Sequence, residues 1–115
     1  MAFLTRFEPG TICQQLQDTT DGAGAATINF QPPDGNWRVR AFASSGMGQA
    51  FAVELEKFNG TPLGVNSGNV FVVQDGGDST PGPDVTLNGS GNYNAQVTGG
   101  AATQAFSLFI YYTPA

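Results

Sequence analysis

Few side chains in this chain of 115 residues can carry chemistry. There is no histidine, so general acid–base catalysis near neutral pH and imidazole metal ligation both lack their usual group. Cys13 is the only cysteine, which excludes an internal disulfide. A thiol without a histidine partner is not an activated nucleophile, and burial as a small hydrophobe is the expectation for it. Glu54 and Glu56 stand two apart on one strand face and have the residue types of a glycosidase pair. The same alternation sets them against Arg40 and Arg38, so surface ion pairs are expected instead. The loop Asp75-Gly-Gly-Asp-Ser-Thr-Pro-Gly-Pro-Asp84 holds carboxylates that could bind calcium through oxygen. It lacks the ordered acidic spacing and closing glutamate of an EF-hand loop and reads as a polar turn. Gly46-Met47-Gly48 is followed by no lysine and is not a phosphate loop. The expectation is a protein that is not an enzyme, with no catalytic residue, no cofactor and no metal.

Charge narrows the partners. Four basic residues face nine acidic ones, for a net charge of −5. Arg6, Arg38, Arg40 and Lys57 are too few and too scattered to displace counterions from phosphates or to hold an anionic bilayer, so neither nucleic acid nor membrane is expected as a partner. The segment Met1 to Gly10 lacks the apolar run of roughly 7–15 residues that marks a signal peptide, since Glu8 and Pro9 interrupt it. The chain is therefore expected to be made in the cytosol and to remain there or leave within something larger.

The elements that must position these residues are strands. Turn residues recur at the spacing of an all-β chain, and helical spacing is nearly absent. An apolar arm over residues 1–9, with Phe3, Leu4 and Phe7, precedes a single domain over 10–115. Strands are expected over Gly10–Asp18, around Ala26–Phe30, Trp37–Ala43, Phe51–Glu56, Val70–Val73, Val85–Leu87, Tyr93–Thr98 and Phe106–Tyr112. Val70–Val73 is a continuous apolar run, expected to be buried on both sides. Asn59-Gly60 is a tight-turn signal. Eight short strands must stack or close to hide their edges. An antiparallel two-sheet β-sandwich of jelly-roll or immunoglobulin-like type is expected, with a closed barrel as the alternative.

The middle strands suggest a meander. Pairing Phe30 with Trp37, and Ala41 with Val53, keeps the apolar sets on one face and brings Arg38 opposite Glu56 and Arg40 opposite Glu54. Trp37 and Tyr93 lie on the apolar phase and read as core rather than as sugar-stacking platforms. Phe42, Phe109 and Tyr111 lie on the opposite phase. Apolar groups pointing outward on a small domain mark a contact surface. With the arm they make Phe3, Leu4, Phe7, Phe42, Phe109 and Tyr111 the candidate protein-interface residues.

In its polar uncharged composition, its Gly/Thr/Asn-rich loops and its closing strand Phe106-Ser-Leu-Phe-Ile-Tyr-Tyr-Thr-Pro114, the chain resembles the small β-sandwich proteins that decorate or cement bacteriophage heads. It is similar in the same way to the jelly-roll modules of phage tails and fibres. The resemblance implies a virion protein, made in the host cytoplasm, that sits on capsid or other virion protein as a homo-oligomer, a trimer being favoured. It brings no functional residue with it. The alternative from a different class is a carbohydrate-binding module or lectin-like receptor-binding domain, which suits the same fold class and the asparagines and aspartates of the loops.

Overall fold

The computed structural model describes residues 11–58, 70–74 and 85–115. The apolar arm with Phe3, Leu4 and Phe7, the Asn59-Gly60 turn and the Asp75–Asp84 loop lie outside the described residues. Among the described residues eight strands follow one another: β1 Ile12–Thr19, β2 Ala26–Phe30, β3 Asn36–Ser45, β4 Phe51–Lys57, β5 Val70–Val73, β6 Val85–Asn88, β7 Tyr93–Thr98 and β8 Ala105–Pro114. Each sits where apolar and polar residues alternate, or where a short apolar run lies between turn residues.

The described strands form two antiparallel sheets, in the orders β1-β8-β3-β6 and β2-β7-β4-β5. The pairs β1/β8, β2/β7, β3/β6 and β4/β5 show how the chain gets there. Its first half runs against its second as one long ribbon, and rolling that ribbon sends successive pairs to opposite sheets. This is the jelly-roll order. The immunoglobulin-like order and the closed barrel are both excluded by it.

The core lies between the sheets. Phe42, Val39, Leu87, Leu108, Ile110 and Tyr112 come from one side, and Phe51, Val53, Leu55, Phe71, Ala95 and Val97 from the other. Trp37 and Tyr93 pack against this core as the alternation predicts. Each also places its polar tip: Trp37 Nε1–H donates to Pro33 O at 2.9 Å, and the Tyr93 hydroxyl accepts from Asn88 N at 3.0 Å. Aromatic side chains bury their bodies most cheaply when that tip finds a partner.

The expected meander does not form. β2 pairs with β7, β3 with β6 and β8, and β4 with β5 and β7, so β2, β3 and β4 are nowhere neighbours. Val39 and Leu55 belong to different sheets and meet the core from opposite sides. Arg38 and Arg40 lie on β3, Glu54 and Glu56 on β4 in the other sheet, so the cross-strand register expected to set them opposite one another does not exist. Two-residue alternation marks which side chains point inward. It does not say which strand lies alongside, because every half-buried strand matches every other equally well.

Two further corrections concern facing. β3 carries a bulge: Val39 pairs with Tyr112 and Ala41 with Tyr111, leaving Arg40 as the extra residue. The strand phase reverses there, as an inserted residue requires. Before the bulge the odd positions Trp37 and Val39 face in; after it Phe42 and Ser44 do. Phe42 is fully buried, with its ring edge-on to Phe71 at 4.8 Å between centroids. It is core, not surface. Among the described residues β5 is an edge strand, and it has one wet face. Phe71 and Val73 are buried while Val72 is 43% exposed, so the run is not buried on both sides.

Candidate assembly surface

The outer face of the β1-β8-β3 sheet gathers the remaining candidates. Register across the three strands sets up rows of one residue each: Cys13–Tyr111–Ala41, then Gln15–Phe109–Ala43, then Gln17–Ser107–Ser45. Phe109 and Tyr111 point outward from the central strand, as their phase predicts, and both are half-buried. Ala41 and Ala43 beside them are 7% and 0% exposed although they belong to the outer face. The small alanines let the aromatic rings lie low against the sheet. The result is a packed apolar strip rather than a wet sheet surface.

The strip has a polar border on β1. Gln15 Nε2 and Gln17 Nε2 both donate to Ser107 Oγ, at 3.3 and 3.5 Å. Cys13 is exposed beside Tyr111, not buried as expected. It occupies an odd position on a strand whose inward residues are Ile12, Gln14 and Leu16. Partial burial pushes its thiol up from the ordinary value, against the hydrogen bond from Tyr111, which lowers it. A thiol in that state is a poor nucleophile at neutral pH. The glutamines and Ser107 join the site only through the β1–β8 register. Their signal in the sequence is their odd phase on β1, which becomes legible once the pairing is known.

Below the third row the surface opens into a groove of about 560 Å³, lined by Gln17, Asp18, Thr19, Ser45, Gly46 and Ser107 with Ala105 and Phe106. Its polar groups are amide, hydroxyl and a single carboxylate, set beside the apolar Ala105 and Phe106. Such groups hydrogen-bond a polyhydroxylated ligand but supply no nucleophile–base pair.

The outer face of the other sheet is polar throughout its middle. Thr27, Gln96 and Glu54 form one row and Asn29, Asn94 and Glu56 the next. Thr27 Oγ1–H donates to Gln96 Oε1 at 2.5 Å, and Asn29 Nδ2 donates to Tyr93 O at 3.0 Å. Glu56 has its carboxyl pushed up, first by burial and then by the charge of Glu54 and a hydrogen bond with it. Among the described residues no three histidine, cysteine, aspartate or glutamate side chains come together to hold a metal.

No protein-family model matches the chain, and no curated protein matches it. Among solved structures it is similar to a protein of Bacillus endospore appendages, which form a family of disulfide-linked pili. The TM-score is 0.45 at 15% identity, over 100% of this chain and 98% of that one. A likeness of that degree decides neither fold nor role; the jelly roll rests on the strand order of the chain itself.

Proposed function

We propose that this chain is a non-enzymatic structural protein of a virion, one that decorates or cements a phage capsid through protein–protein contacts. The observation that carries the reading is the apolar strip of Phe109 and Tyr111 over buried Ala41 and Ala43, on the outside of a jelly roll. An outer sheet face needs no apolar layer to fold; such a layer gains free energy when something covers it. Jelly rolls serve in viral shells and in lectins alike, so the fold agrees with the reading by analogy alone. The protein works, on this reading, in the virion after synthesis in the host cytoplasm, and its partner is capsid or another virion protein.

The test is co-purification of the full chain with assembled particles. Phe109→Ser with Tyr111→Ser, and separately removal of residues 1–9, should lower occupancy on particles while leaving the fold intact. Normal occupancy by both variants rules these residues out as the contact surface. A wild-type chain that associates with no particle rules out the virion reading.

One observation favours the second reading, a carbohydrate-binding module or lectin-like receptor-binding domain. The groove at Gln17, Asp18, Ser45 and Ser107 offers amide and hydroxyl partners in an open setting. Binding to a glycan array that Asp18→Ala abolishes would move that reading ahead.

A further inference from the structure

We propose that two copies of this chain join edge to edge through β1, antiparallel about a two-fold axis at Gln14, so that their β1-β8-β3-β6 sheets become one continuous sheet. β1 is an edge strand, and among the described residues β8 is its only strand partner. An exposed edge is a row of unpaired N–H and C=O groups, and proteins normally blunt it with lysine, proline, a bulge or brevity. Among the described residues the other three edge strands are brief: Ala26–Phe30 has 5 residues, Val70–Val73 and Val85–Asn88 have 4 each. β1 is different. Its 8 residues, Ile-Cys-Gln-Gln-Leu-Gln-Asp-Thr, include no lysine, arginine, proline or glycine. Its register with β8 runs unbroken from Ile12↔Tyr112 to Thr19↔Ala105.

The occupant is a second copy because β1 is complementary to itself. Its inward residues are Ile12, Gln14 and Leu16, and the two apolar ones are only partly buried at the rim of the core. Set antiparallel with Gln14 opposite Gln14 of the second copy, Ile12 lies opposite Leu16 of the second copy, and Leu16 opposite its Ile12. Both rims are then covered by apolar groups, and the core layer continues across the axis. Directly opposed side chains in such a pair have Cβ atoms about 4.5–5.5 Å apart, within contact. Gln14 does not disturb the axis, because its Oε1 already accepts from Tyr112 Oη at 2.8 Å and its Nε2 donates to Gln31 O at 2.9 Å. Asp18 is the strand's one charge, and antiparallel pairing sends the two copies of it to opposite ends of the ribbon, roughly 27 Å apart at the strand rise. That is well past the Debye length at physiological salt. On the outer face the same register sets Cys13 opposite Gln15 of the second copy, so the apolar strips of the two copies flank the seam. A two-fold contact of this kind closes on itself and yields a dimer, not a trimer and not a filament.

The test uses the full chain in solution and does not depend on the virion reading: a dimer that binds no particle leaves this inference standing. Sedimentation velocity of the wild type should show a reversible dimer. Gln15→Lys places two cations near the axis and should weaken it about tenfold, since like charges across strands repel. An equimolar mixture of Gln15→Lys and Gln15→Glu chains should restore association. Gln15→Cys should cross-link through Cys13 of the second copy faster than wild type under mild oxidation, whereas Thr27→Cys on the edge of the other sheet should cross-link no faster than wild type. A wild type that stays monomeric at hundreds of micromolar overturns the proposal. So does a Gln15→Cys chain that cross-links no faster than Thr27→Cys, or assembly into polymers in place of dimers.

Discussion

Replacing Phe42 by alanine separates the two possible facings of β3 more sharply than any other change. The residue is fully buried, and its ring meets Phe71 edge-on at 4.8 Å. Truncating a buried phenylalanine costs about 3–5 kcal/mol, the lost transfer energy together with the cavity left behind. Both sheets line the site, so little of that volume can close by collapse. For a domain of this size the loss corresponds to a fall in melting temperature of roughly 10–25 °C. The companion variant is Phe109→Ala, one row away on the paired strand but outward and only half-buried. It should cost about 1 kcal/mol. Urea unfolding of the two variants beside wild type is the assay, read from the midpoint with the slope unchanged. If Phe42→Ala costs under about 1 kcal/mol, or Phe109→Ala costs as much as Phe42→Ala, then the phase reversal at Arg40 is wrong and Phe42 faces out.

Deleting Arg40 should leave the fold intact, checked by circular dichroism and limited proteolysis, because Val39 and Ala41 already pair with consecutive residues of β8 and joining them restores an unbroken alternation with Trp37, Val39, Phe42 and Ser44 all inward; loss of folding would count against Arg40 as the extra residue. Gly24 has φ +76°, and a Cβ on it would stand 2.0 Å from Gly100 O, so Gly24→Ala should destabilise by about 2–4 kcal/mol in thermal unfolding, from left-handed strain and backbone overlap together. Glu56 holds its proton more tightly folded than unfolded, so its contribution to stability is present below the ordinary glutamate value and is lost as pH rises through the raised one. Glu56→Gln should accordingly raise the melting temperature at pH 7 and leave it nearly unchanged in mild acid, and an equal effect at both would refute the assignment. Asp21 has the opposite sign: N–H groups of Ala25 and Ala23 donate to its carboxylate and hold its value down, so its contribution is present above the ordinary aspartate value and lost as pH falls through the lowered one. Asp21→Asn should flatten the acid limb of the stability profile.

The strands were legible from the residues alone. Ala26, Ile28 and Phe30 alternating with Thr27 and Asn29 mark β2 to the residue, and Phe51, Val53 and Leu55 mark the core face of β4, because period-two burial is written directly in side-chain polarity. Absent histidine, a lone cysteine and few cations were legible too, and they bounded the chemistry before any fold was known. Tertiary structure decided which strand lies beside which. Ile28, Val39 and Val53 all point to the core, and nothing in their own segments distinguishes a neighbour in the same sheet from a partner across the interior. The cooperative packing of the strands made that choice, and it put the strand of Arg38 and Arg40 in a different sheet from that of Glu54 and Glu56. The bulge at Arg40 belongs to the same class. One extra residue opposite β8 reverses a facing that alternation alone assigns the other way, and it carries Phe42 from the surface to the core. Cys13 shows the reverse case, a residue of buried type left in water because the inward phase of its strand belongs to Ile12 and Leu16. Polarity encodes the burial a residue prefers; the register of its partner strands decides the burial it gets.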